Sequence, residues 1–169
     1  MMKRGIDRFV GTVEEMTQPN PFTSFEYYAY ADQFYDAFNK LGPDHLHPSV
    51  SWPRYFLLCH AIELALKAYL AKLGATPEQL KHFDLRHNLK NLVTEAVEKG
   101  LHLTTDTQQG IEALDEAHHK FWHRYPRDDG KFERVFVIEQ FIGAAYELIN
   151  AVCKEVHGVS WEELERSGH

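Results

Sequence analysis

Cysteine is scarce in this chain, with two among 169 residues, Cys59 and Cys153. Both fall inside apolar helical patterns, so they read as small buried hydrophobes of a reduced compartment and not as a disulfide framework. Seven prolines and ten glycines are too few for a linker-rich or fibrous chain. Positive charge is short as well: 18 Lys and Arg stand against 25 Asp and Glu, a net charge of −7. Binding to nucleic acid or an anionic membrane would therefore have to come from a local patch. No apolar run follows Met1-Met2-Lys3-Arg4, which gives the expectation of no signal peptide. The longest apolar stretch, Trp52 to Gly74, is interrupted by His60, Glu63 and Lys67. No membrane span is expected from it, and a cytoplasmic location is. Internal repeats, low-complexity segments and period-two alternation are all missing. So are a Walker loop, GxGxxG, GxSxG and paired CxxC, which removes the common nucleotide-phosphate, hydrolase and zinc-ribbon classes.

What the chain does have is helical periodicity around enough apolar residues (44%) for one sizeable core. We divide it into an N-terminal arm over 1–22, a helical bundle over 23–158 and a short C-terminal helix or tail over 159–169. Thr23 and Glu26 form a capping-box pattern opening a helix over Ser24 to Lys40, which Gly42-Pro43 stops. Its buried side is read as Phe25, Tyr28, Phe34, Tyr35, Phe38 and Leu41. After a loop with His45 and His47, Ser51 is placed to cap the next helix and Pro53 sits in its first turn, where a missing N–H costs nothing. Gly74 ends that helix, and Thr76 to Gln79 predicts a capped helical turn. Asn88 caps a third helix with Leu89, Leu92, Val93, Ala96 and Val97 on one face, closed by Gly100. A fourth runs from about Thr107 to Tyr125 with Ile111, Leu114, His118, Phe121 and Tyr125 as its apolar face. A fifth covers Glu133 to His157 with a seam of Val135, Ile138, Ile142, Ala145, Ile149, Val152 and Val156. Ser160 and Glu163 form a second capping box. The expected fold is all-α, an antiparallel four- or five-helix bundle.

The polar residues of Trp52 to Gly74 are the ones a core helix does not need. At 100° per residue, His60, Glu63 and Lys67 fall within about 60° of one another, on a helix that is otherwise apolar nearly all round. Burying charge costs several kcal/mol unless it is paired. Glu63 and Lys67 have the favourable i,i+4 order, and His60 sits one turn before Glu63. Three readings follow: a structural network that fixes register, a cleft in which Glu63 orients His60 as a general base, or a plain surface stripe. Arg54 lies six residues before His60, about 9 Å along the axis. A cation in a first helical turn opposes the dipole, so it calls for a partner, either a carboxylate or a phosphate.

The stretch AIELALKAYLAKLG, followed by Leu85-Arg86-His87-Asn88-Leu89, resembles the HEPN family of helical bundles from prokaryotic toxin–antitoxin, nucleotidyltransferase-associated and defence systems. The shared pattern is E-x-x-x-K, then Gly, then His-(Asp/Asn)-Leu, and it covers about Arg54 to Leu101. The resemblance implies a HEPN-like bundle working as a homodimer, with a cognate antitoxin or nucleotidyltransferase as partner, in an RNA- or nucleotide-linked system. Many members are metal-independent ribonucleases with an R-x(4–6)-H motif, in which the Arg cradles phosphate and the His acts on the 2′-OH. Arg54 and His60 have a permitted spacing, although Tyr55 follows where a polar residue is usual and the motif sits on an earlier helix than is typical. Other members lack the motif and are inferred to be binding modules. No cofactor is implied.

Two further groups carry chemistry. Glu112, Glu116, His119 and His123 form one stripe opposite the apolar face of the fourth helix, and Glu116, His119 and His123 have metal-ligand spacing. The alternatives are a solvated face and a surface Zn²⁺ site in a His-rich metal-binding bundle. A di-iron bundle would need a second Glu-x-x-His helix, and none is found. Lys120 to Arg134 is a local basic–aromatic segment in an acidic chain. Lys120, Trp122, Arg124, Tyr125 and Arg127 there can hold single-stranded RNA by phosphate contact and base stacking, or form a helix end whose aromatics are packed and whose arginines pair with acids. Lys67 and His87 are grouped with them as binding candidates. His87, beside the Asn88 cap, is otherwise read as bonding locally.

Overall fold

The computed structural model describes residues 22–42, 52–119 and 138–167. Seven α-helices occur among them: α1 (Ser24–Leu41), α2 (Trp52–Lys72), α3 (Pro77–Lys81), α4 (Leu89–Glu98), α5 (Thr105–His119), α6 (Ile142–His157) and α7 (Trp161–Arg166). A 3-10 turn, Ile138–Phe141, leads into α6. There is no strand among the described residues, so the chain is all-helical there. Five helices carry the bundle, while α3 and α7 are short.

Local signals set the boundaries. Thr23 accepts from the Glu26 amide and Glu26 returns to the Thr23 amide, and the same reciprocal pair occurs at Thr76–Gln79 and Ser160–Glu163. Each box satisfies two amides that the first turn would leave unbonded. The Asn88 side chain accepts from the Asn91 amide, as its position predicts. Gly100, at φ +102°, and Gly158, at φ +77°, follow helix ends in the left-handed region that other residues avoid. Residues 120–137 and 43–51 lie outside the described residues, and with them the Ser51 cap, His45, His47, Phe121, Tyr125 and the Glu133 start of the fifth helix.

At the centre of the bundle is α2. Thirteen of its 21 residues are buried, so it is enclosed on most sides. It packs on α1, α4, α5 and α6. Ala61, Ala65 and Ala68 are fully covered and let neighbouring helices approach, while Leu58, Ile62, Leu66 and Leu70 fill the space between them. The Tyr55 hydroxyl donates to the Leu114 carbonyl 2.5 Å away, tying α2 to α5. Helices α5 and α6 come close at Gly110, where a Cβ would stand 3.1 Å from that of Ala144. Thr104 and Thr107 fix the start of α5 to α6 by donating to Glu147, whose carboxyl is held below its ordinary range chiefly by the Thr107 hydroxyl.

The C-terminal helix is docked on the bundle. The Trp161 indole donates to Asp32 of α1 at 2.7 Å, and its ring stands edge-on to Tyr35 and Tyr146. Cys59 and Cys153 are both buried, and burial pushes both thiols up, away from thiolate chemistry.

The face of α1 differs from the expected one. Tyr28, Tyr35 and Phe38 are buried as read, but Phe25 is 55% exposed and Leu41 52%, while Tyr27 and Ala31 are covered instead. The reason is that aromatics on this helix exceed what one face holds. Tyr27 and Ala31, four residues apart, share the covered face, and Phe25 rests by its edge on His157 at the rim.

Candidate functional site

The site is built from Glu63 outward. Its side chain is 1% exposed, at mid-length of α2, and no apolar group can replace the water it loses. Four nitrogen-bearing side chains surround it. One turn on, Lys67 donates from Nζ to Oε1 at 2.6 Å and to the Arg86 carbonyl at 2.7 Å, so the ammonium holds the loop before α4 against α2. From that loop comes His87, whose Nδ1 is 3.2 Å from each carboxylate oxygen. His118, near the end of α5 and fully buried, places Nε2 2.9 Å from Oε2. His60, one turn earlier on α2, has Nδ1 at 3.7 Å from Oε2, outside hydrogen-bond range. Its ring stacks on Phe56 and meets Phe34 edge-on.

Asp115 positions this arrangement from a second direction. Its Oδ1 accepts from the amides of Leu89 and Lys90 at the first turn of α4, where a carboxylate also meets the positive end of the helix dipole. That bond seats α5 on α4 next to His87 and delivers His118, three residues further on, to Glu63.

Burial by itself would raise the Glu63 carboxyl, but the imidazoles of His118, His60 and His87 and the Lys67 charge outweigh it and hold the group well below the usual carboxylate range. Its folded value therefore lies below the unfolded value of about 4.3. The stability Glu63 contributes is fully present above that pH and is lost as pH falls toward the folded value. Glu63→Gln removes the dependence. Between about pH 5 and about pH 3, urea unfolding should show the wild type losing more stability than the variant. Equal losses would show that Glu63 is not held in this way.

Of the sequence-predicted site residues, Glu63, Lys67, His87 and His60 are brought together. Arg54 is placed elsewhere on α2: it is 6% exposed, and its guanidinium lies 4.6 Å above the Phe38 ring, a cation–π contact. His87 bonds over a distance of 24 residues and not only locally. His118, assigned to the apolar face of its helix, is instead a member of the polar cluster. Its signal was present: a histidine in an apolar face needs a partner, and Glu63 offered more acceptor positions than Lys67 uses. Lys120, Trp122, Arg124, Tyr125, Arg127 and His123 lie outside the described residues, and the side chains of Glu116 and His119 are likewise not described. Among the described residues, Glu63, His87 and His118 are the group whose donor atoms all lie within 4.8 Å of one another.

The cluster is not a wide cleft. Its openings are at His60 and His87, whose side chains are 22% and 23% exposed. Arg86 and Lys90, on either side of His87 in sequence, are exposed. A groove of about 680 Å³ lies at the other end of α2, between Leu70, Leu73, Leu85 and Glu95, and contains none of these residues. No described helix is long and apolar enough to cross a membrane. Comparison of the chain with protein-family models, curated proteins and solved structures finds no match.

Proposed function

We propose that this chain is a HEPN-like helical module that binds RNA or a nucleotide phosphate at the open edge of the Glu63 cluster, as the binding or accessory component of a prokaryotic toxin–antitoxin or defence-type system. One observation carries the proposal. Glu63, Lys67 and His87, on which the resemblance rests, are separated by up to 24 residues in sequence and meet around a single carboxylate. His87 is partly exposed, and Arg86 and Lys90, one and three positions from it in sequence, are exposed cations. The basic–aromatic segment beginning at Lys120 starts two positions after His118 in sequence.

The partners of such a module are a second copy of the chain and a cognate antitoxin or nucleotidyltransferase. Phe22 and Tyr30, packed edge to face and each about half exposed, offer apolar surface for association. The test is titration of the protein with short single-stranded RNA at several salt concentrations. Affinity should fall as salt rises, and Arg86→Ala, beside His87, should weaken binding and lower the salt slope by about one. Absence of measurable affinity at low salt would sink the proposal.

Cleavage by Arg54 and His60 is the second reading, favoured by a carboxylate-facing imidazole held between two phenylalanines. It requires RNA cleavage with chelator present, abolished by His60→Ala in a protein that still folds. The sequestration of Arg54 on Phe38 favours binding over cleavage.

A further inference from the structure

Glu63 has more partners than an ion pair needs. Lys67 already supplies one full positive charge at 2.6 Å from Oε1. The remaining oxygen, Oε2, faces His118 Nε2 at 2.9 Å and His87 Nδ1 at 3.2 Å. These donors come from three separate parts of the chain: the middle of α2, the loop before α4, and the end of α5. A fold that needed only to neutralise one carboxylate would not require two further imidazoles from distant elements.

We propose that Glu63, His87 and His118 form a binding site for one divalent transition-metal ion of the zinc class, with Oε2, Nδ1 and Nε2 as ligand atoms. Two of the three ligand-atom separations are close to those required, and the third, between the two ring nitrogens, lies within 4.8 Å. Zn²⁺ binds nitrogen and oxygen at about 2.0–2.2 Å, so tetrahedral ligand atoms stand roughly 3.3 Å apart. The hydrogen-bonded separations of 2.9 and 3.2 Å need to open by only a few tenths of an ångström. For the ion to bind, the proton on each facing ring nitrogen moves to the other nitrogen of the same ring, so both histidines ligate as neutral imidazoles through the freed lone pair. Lys67 stays on Oε1, and the carboxylate then bridges ammonium and metal, which fixes which oxygen ligates. The Arg86 carbonyl holds the ammonium from its other side.

The donor set also selects the ion. Two imidazoles and one carboxylate suit Zn²⁺, Co²⁺ or Ni²⁺, whereas Mg²⁺ and Ca²⁺ want oxygen. Three protein ligands leave a fourth position to water. The partly exposed side of His87 gives an entry path, and His118, fully buried, anchors the inner face. The proposed set differs from Glu116, His119 and His123, and it is independent of whether the chain binds RNA.

The experiment is titration of the full, chelator-treated chain with Zn²⁺ and with Co²⁺, followed by calorimetry, by the visible Co²⁺ spectrum and by thermal unfolding. One ion per chain is expected, with a rise in Tm on binding. His87→Gln, at a partly exposed position, should weaken binding at least tenfold and abolish the Tm rise while leaving the unliganded fold in place. Glu63→Gln is the second ligand variant, and His119→Gln and His123→Gln serve as controls. Binding unchanged in both ligand variants, binding lost in the controls instead, or no binding to the wild type would each overturn the proposal.

Discussion

Glu63→Ala is expected to cost about 3–5 kcal/mol of stability, the range for breaking a buried ion pair by removing one partner. For a chain of this length that is a fall in Tm of roughly 6–20 °C. The loss is not the energy of the Lys67 contact as such. It comes from leaving the Lys67 ammonium, itself nearly covered, with the Arg86 carbonyl as a remaining acceptor and no opposing charge on α2. Two imidazoles also lose their acceptor. Replacing both members, Glu63→Leu with Lys67→Met, should recover much of the loss, because apolar groups of similar volume carry no desolvation penalty. A Glu63→Ala protein within about 1 kcal/mol of wild type by urea unfolding would mean that the carboxylate is solvated and the cluster is not closed.

The second large effect lies on α1 and contrasts two phenylalanines of the same helix. Phe38 is 1% exposed, sits in the core and carries the Arg54 guanidinium on its face. Phe38→Ala should cost about 3–5 kcal/mol through lost burial and the cavity left behind. It also strips the cation–π support from a covered arginine. Phe25 is more than half exposed and touches the bundle mainly through the edge of His157. Phe25→Ala should stay within about 1 kcal/mol of wild type. Equal losses at the two positions would mean that α1 is rotated from the orientation described.

Those two residues also show what sequence could and could not convey. Both are aromatic and both were read as buried, although at 100° per residue they stand about 140° apart around the helix. Which part of a broad aromatic face is covered depends on where α2 and α6 lie, and this is a tertiary fact. Helix starts were legible for the opposite reason. The boxes at Thr23, Thr76 and Ser160 and the Asn88 cap close within four residues, and nothing distant is needed to form them.

The candidate site divides in the same way. The Glu63–Lys67 pair is one helical turn long, and its burial follows from a helix apolar nearly all round. His87 and His118 join it across 24 and 55 residues, and no local pattern encodes either approach. His118 was further hidden because its position in the apolar face of α5 made it resemble core. Arg54 meets the Phe38 ring, and His60 lines the rim of a buried cluster centred on Glu63.

The central claim is that Glu63 joins α2 to the distant histidines as one coupled unit. A double-mutant cycle with Glu63→Gln, His118→Gln and the combined variant, read by urea unfolding at neutral pH, tests it most directly. The cluster predicts a coupling of about 1–3 kcal/mol, as for residues in one hydrogen-bonded network. Losses that add to within about 0.5 kcal/mol would contradict it, because residues that do not touch behave that way.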